Sequence, residues 1–341
     1  MSLLATSKTF TSKDFKLTTG AVLPEVTLAY ETWGKLNADG SNGILLCHGY
    51  TSHPHAGGDG GWFANLMGPG KAVDTDKYFV VCSNMLGSSY GSTGPGSIDP
   101  KTGQPYGPDF PAYSARDMVA AQERLIDHLG IKQMAAVIGY SYGGHLTFLW
   151  GVMRPDRMRA LVPIAGVMER ANTAATVAAL RKRFETTCPG WNGGRYYGKE
   201  RMSGVRDLMV TIRKETLANY GIGKHLEDTK GAAARDETIA AMAETWADHF
   251  DANSLIKLPE ARIGSSAVPD AGAMKAPLLC VLADTDSVVA VAEGHEIEAI
   301  LKGHGVDARF LELVTDYGHA GPMIDADKWS DDLRAFLART N

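Results

Sequence analysis

VIGYSYGGH, residues 137–145, sets one serine among small and turn-forming residues directly after an apolar run. That run, MAAVI (134–138), has the make-up of a short buried strand, and beyond the serine Leu146, Leu149, Trp150 and Met153 recur at helical spacing. Ser141 therefore stands at a strand-to-helix turn. In the pattern G-x-S-x-G, Gly139 and Gly143 remove the Cβ atoms that would collide as strand and helix close on each other, and the hydroxyl is lifted clear of the strand end. The amide of Tyr142 then points to where an oxyanion would develop on an attacked carbonyl. Glycine-rich packing turns carry the same five-residue pattern, but the strand before it and the helix after it favour a nucleophile.

Outward from this turn the chain alternates strand-like and helix-like stretches. The strand-like ones are VTLAYETWG from Val26, GILLCHG from Gly43, YFVVCSNMLG from Tyr78, RALVPIAGV from Arg159, PLLCVLAD from Pro277 and ARFLELV from Ala308. Several are apolar throughout, as strands covered on both faces are, and patterns such as ARDMVAAQERLIDHLG (115–130) separate them. A mostly parallel sheet with helices on both sides follows. Between 168 and 271 the rhythm changes: ANTAATVAALRKRFETT, VRDLMVTIRKETLANYG and DETIAAMAETWADHF are helix-like with no strand between them. The expected organisation is a core of residues 1–167 and 272–341 with a helical lid of 168–271 over the edge where such sheets bind ligands.

Bulk properties exclude several classes. The 341 residues are 44% hydrophobic and 21% charged with a net charge of -5, and no long run of either sign suggests nucleic acid or an anionic membrane as partner. A small-molecule substrate is expected. No apolar run is long enough to span a membrane, and the N-terminus MSLLATSKTFTSKDF lacks the features of a signal peptide, so a cytoplasmic location is expected. The four cysteines are far apart, and Cys47, Cys82 and Cys280 lie in apolar runs where a reduced, buried thiol is the usual state. Neither GPGKAVD (68–74) nor YGSTGPGS (90–97) fits a phosphate-loop or dinucleotide pattern. His53 and His55 lie two apart on a glycine-rich loop with no distant third ligand, so no cofactor and no metal is assigned.

An acyl-transfer site on Ser141 needs a base, an acid that fixes the tautomer of that base, and two amides for the oxyanion. In such a sheet the acid and base follow the serine in chain order, on loops after later strands. Of the ten histidines, His319 in VTDYGHAGP alone lies beyond the last strand beside a glycine. VLADTDSVVAV offers two acids, Asp284 at the strand end and Asp286 two residues into the loop. Asp286 is favoured, with the other left to cap the loop or the next helix. The second amide is expected from Tyr50, after Gly49 in HGYTSHPHAGG.

HGYTSHPHA, the long block GPGKAVDTDKYFVVCSNMLGSSYGSTGP, KTGQPYGPDFP with ARDMVAAQERLIDHLGI, then WNGGRYYG, HFDANS and GYSYGG together resemble the homoserine O-acetyltransferase family of α/β-hydrolases. The resemblance implies an α/β-hydrolase core, a helical lid that often forms a homodimer contact, and a serine acylated by a donor and relieved by an acceptor. On the family motifs Ser141, Asp286 and His319 match the triad and Tyr50 and Tyr142 the oxyanion donors. Arg213 and Tyr220, in IRKETLANY, match an arginine and tyrosine that line the acceptor site. Two positions depart from the pattern. Ala320 follows His319 where the acetyltransferases carry an aspartate that helps hold the amino-acid acceptor, and Tyr142 stands where methionine is usual. A missing charge-assisted hydrogen bond, about 1.5–3 kcal/mol, weakens an ammonium-bearing acceptor by roughly ten- to a hundred-fold. The sequence thus points to a serine esterase of short acyl esters, with an O-acyltransferase moving an acyl group from acyl-CoA to a hydroxyl acceptor as the alternative.

Overall fold

The computed structural model describes residues 8–171 and 173–340. Its strands in chain order are β1 (Lys8–Lys16), β2 (Val22–Trp33), β3 (Gly43–Cys47), β4 (Met67–Gly68), β5 (Val73–Asp74), β6 (Phe79–Ser83), β7 (Ile98–Asp99), β8 (Gln104–Pro105), β9 (Met134–Tyr140), β10 (Leu161–Ile164), β11 (Leu278–Ala283) and β12 (Ala308–Leu313). The helices are α1 (Ala115–His128), α2 (Tyr142–Met153), α3 (Thr173–Thr187), α4 (Val205–Asn219), α5 (Ile222–Lys230), α6 (Ala232–Ala247), α7 (Ala252–Glu260), α8 (Val291–Gly303), α9 (Gly321–Ile324) and α10 (Ser330–Thr340). Eight strands form one sheet in the order β1-β2-β6-β3-β9-β10-β11-β12, while β4-β5 and β7-β8 are two-residue ribbons. From β6 to β12 every pairing is parallel, and β2 joins antiparallel to both β1 and β6.

Period-two alternation explains why the central strands are buried on both faces. Leu45, Cys47, Val137, Leu161, Leu278 and Cys280 join one core layer with residues of α1, α2 and α8. Ile44, Leu46, Ala136, Ile138, Val162, Ile164 and Val281 face the other, where Trp329, Leu333, Phe336 and Leu337 close over them. All four cysteines are free and buried. Burial pushes the Cys47 thiol up to about 12. α1 begins at a reciprocal cap between Ser114 and Asp117, and Asp117 also accepts from the amide and hydroxyl of Thr18, tying the β1–β2 hairpin to the helical layer.

The strand expectations map onto β2, β3, β6, β9, β10, β11 and β12, with β2 starting earlier than the sequence suggested. β1 was not foreseen. Its residues KTFTSKDFK are mostly exposed and polar, so they carry no apolar run, yet they pair along the whole of β2. Between β10 and β11 the chain is helical as expected, but with five helices, α3 to α7, where three were read. α5 hides behind the break at Gly221, which has positive φ, and the nine-residue α7 contains Pro259. Among the described residues no helix is long and apolar enough to cross a membrane.

Candidate active site

β9 ends at Tyr140, and Ser141 turns the chain into α2 with φ 56° and ψ -112°, a conformation strained for any residue with a Cβ. The flanking glycines are required by contact. A Cβ on Gly139 would lie 2.0 Å from the Gly143 carbonyl oxygen, and one on Gly143 would lie 1.9 Å from that of Cys47. The turn is thus pressed against the end of β3. The Ser141 amide donates to Ile164 O at 2.8 Å, which pins it to β10 as well.

Ser141, His319 and Asp286 come together. Ser141 Oγ lies 2.8 Å from His319 Nε2, and His319 Nδ1 lies 2.7 Å from Asp286 Oδ2. The side chains of His319 and Asp286 are wholly buried. Asp286 is oriented by its own loop, since its Oδ1 accepts from the amides of Val288 (2.7 Å) and Val289 (3.1 Å). In the neutral imidazole, Nδ1–H donates to Asp286 and Nε2 is left to accept the Ser141 hydroxyl proton. Asp284 points elsewhere, accepting from the Thr315 amide at 2.9 Å and so capping the loop after β12.

Tyr50 follows β3 and Tyr142 opens α2, on either side of this junction. Neither backbone amide donates to a protein acceptor among the described residues. The two rings stack with centroids 6.4 Å apart, and both hydroxyls reach α7: that of Tyr50 donates to Leu255 O, and that of Tyr142 to Leu258 O at 2.8 Å. Burial raises both phenols above their ordinary range.

The helices between β10 and β11 reach every loop of the site. Arg213 on α4 donates from Nη1 to Thr51 Oγ1 at 2.8 Å and lies over the Trp246 ring, 5.3 Å from its centroid. It has no carboxylate partner among the described residues, and its buried Nε finds no acceptor. Burial pulls its pKa down, opposed by the phenols of Tyr90, Tyr220 and Tyr140. The Tyr220 ring lies 4.6 Å from that of His319. At the α4–α5 corner Asn219 O accepts from Ser287 Oγ (3.3 Å) and Tyr220 O from the Ala320 amide (2.9 Å). Ala320 is 5% exposed and places only a methyl group after His319.

Sequence reading missed several contributors. Tyr140 donates from its hydroxyl to His319 O at 2.9 Å and steadies the histidine loop. Thr51 and Trp246 orient Arg213, and Trp246 Nε1 donates to Thr51 O at 3.2 Å. A tyrosine directly before the serine was visible, but its partner lies far along the chain. His53 is held neutral, its pKa lowered to about 4 chiefly by burial, with smaller contributions from its neighbours His48, His55 and Arg213. His55 bonds instead to Glu31 Oε2 and to Asp59 O, each at 2.9 Å.

A family model described as alpha/beta hydrolase fold matches residues 42–326. A homoserine O-acetyltransferase of Deferribacter desulfuricans is 34% identical, with 96% of this chain and 93% of the relative aligned. Another of that name, from Methanosphaerula palustris, is 35% identical over 99% of this chain and 74% of its own. Among solved structures, esterase E22 superposes with a TM-score of 0.85 at 26% identity, covering 97% of this chain and 99% of the other. The homoserine O-acetyltransferase from Bacillus anthracis superposes with the same TM-score, 0.85, and the same 26% identity over 98% of both chains. With this sheet order, a serine at its strained turn and relatives matched over nearly the whole of this chain, the chain belongs to the homoserine O-acetyltransferase family of α/β-hydrolase enzymes.

Proposed function

We propose that this protein is an O-acyltransferase: Ser141 takes a short acyl group from a donor and passes it to the hydroxyl of a small acceptor that carries a carboxylate. In the first half-reaction His319 Nε2 accepts the Ser141 proton as Oγ bonds to the acyl carbon, with Asp286 stabilising the imidazolium. The Tyr50 and Tyr142 amides receive the oxyanion. The bond to the leaving thiol or alcohol then breaks, and His319 returns the proton to that group. In the second half-reaction His319 takes the acceptor's hydroxyl proton, the acceptor oxygen attacks the acyl carbon, and Ser141 leaves with the proton restored.

The observation that carries this reading is Arg213, a buried guanidinium that interacts with the phenols of Tyr90, Tyr140 and Tyr220, the last of which lies 4.6 Å from the His319 ring, and that has no carboxylate partner among the described residues. A buried, unpaired cation is costly unless an anion joins it. The names of the relatives matched at 34–35% identity support an acyltransferase better than the esterase read from sequence.

A second reading is hydrolysis, with water relieving the acyl-enzyme. It is favoured by Ala320, whose methyl group offers nothing to an acceptor's ammonium, and by the likeness to esterase E22. Product partitioning separates the two. With 4-nitrophenyl acetate as donor and L-homoserine added, O-acetylhomoserine as the main product supports transfer, while free acetate at saturating homoserine supports hydrolysis. Both readings require Ser141→Ala to abolish release of 4-nitrophenol from a folded protein, and retained activity would overturn both.

A further inference from the structure

α7 carries two free carbonyls, and both are taken by tyrosines of the site. Pro259 has no N–H to offer Leu255 O four residues back, so the proline inside the helix leaves that oxygen without its helical donor. The Tyr50 hydroxyl takes the place. Leu258 O would ordinarily accept from the Arg262 amide, but that amide bonds to Pro259 O at 3.1 Å as the helix ends. The Tyr142 hydroxyl fills this second vacancy at 2.8 Å. Arg262 also lies over the Tyr142 ring, 5.3 Å from its centroid, so the same helix end holds that ring from a second direction.

We propose that α7 positions the two oxyanion amides through the hydroxyls of Tyr50 and Tyr142, with Pro259 as the positioning residue that reserves the Leu255 carbonyl for Tyr50. The inference rests on the acyl-transfer reading of Ser141. The loop after β3 and the first turn of α2 belong to different parts of the chain, and each amide must face one point to within a few tenths of an ångström to stabilise an oxyanion. Two rigid phenol rings running from those backbones to one helix supply a common reference. A shift of α7 would move both amides together.

The test measures acylation in Tyr50→Phe, Tyr142→Phe, Pro259→Ala and the Tyr50→Phe/Pro259→Ala double variant. The 4-nitrophenol burst from 4-nitrophenyl acetate gives the rate, and a trifluoromethyl ketone, which forms a tetrahedral oxyanion on serine, gives the inhibition constant. Each tyrosine variant is expected to acylate roughly five- to thirty-fold more slowly, short of the loss from deleting an oxyanion donor outright. KM should stay within about twofold, and ketone affinity should fall by the same factor as the rate. Pro259→Ala restores an N–H that competes for Leu255 O, so it should resemble Tyr50→Phe, and the double variant should be no slower than Tyr50→Phe alone. Additive losses in the double variant, or wild-type acylation in both tyrosine variants, overturn the inference. Tyr→Phe keeps the ring and its packing, so these two variants remain informative should Pro259→Ala fold poorly. Ser141→Ala separates the failures: ester cleavage surviving in it sinks the acyl-enzyme reading itself, whereas a dead Ser141→Ala beside unaffected tyrosine variants sinks only the role of α7.

Discussion

Asp284 and Asp286 stand on one loop and serve different partners, the first holding the Thr315 amide and the second His319. Asp286→Asn should lower the acylation rate by about 10^4, because the amide holds the wrong tautomer of the base. Asp284→Asn should leave that rate within a few-fold and cost about 1 kcal/mol in urea unfolding. Equal losses in the two would mean that the acid is misassigned. Both residues were visible in the sequence, and Asp286 was favoured there because it stands two residues into the loop; the two loop amides that orient its carboxylate were not legible. Arg213 was legible only through the family motif, since its neighbour Thr51 is 162 residues away. Arg213→Gln should raise KM for a carboxylate-bearing acceptor by roughly ten- to a hundred-fold while the burst with 4-nitrophenyl acetate stays unchanged. A fall in burst rate instead would show that the guanidinium serves the first half-reaction.

Where elements meet, the junctions matter more than the elements. Gly143→Ala drives a Cβ to 1.9 Å from Cys47 O, and backbone on both sides prevents relief. It should cost at least about 3 kcal/mol, read as a lowered urea midpoint or loss of soluble protein. Gly221, at φ +86° between α4 and α5, is as tightly placed: a Cβ there lies 2.0 Å from Tyr317 O. Gly221→Ala should push the corner off the histidine loop, slowing acylation while circular dichroism retains the helical signal. The sequence revealed G-x-S-x-G because its glycines bracket a visible strand and helix. It concealed β1, which pairs through backbone with polar side chains outward, and α7, whose Pro259 argues against a helix by propensity. The proline is tolerated near the helix end, where a tyrosine hydroxyl substitutes for the missing N–H.

Across the whole molecule, His48 and His145 are buried and held neutral, their pKa values lowered chiefly by burial to about 4 and about 3. Above the ordinary value of about 6.5 neither affects the pH dependence of folding. As pH falls from there towards 4, the unfolded chain takes up protons that the folded chain refuses, so stability declines by on the order of 3 kcal/mol per histidine. Urea midpoints should drop steadily between pH 7 and 4, and His145→Gln should flatten the slope; an unchanged slope would remove His145 from the account. The hydrogen bonds that assemble the site have a kinetic side as well. Ser141 and His319 are 178 residues apart in the chain, and Tyr50 and Leu255 are 205 apart. Contacts that close such long loops form late. During refolding, helical ellipticity should therefore return first and the acylation burst last, which makes the appearance of a working serine a clock for the final step of assembly.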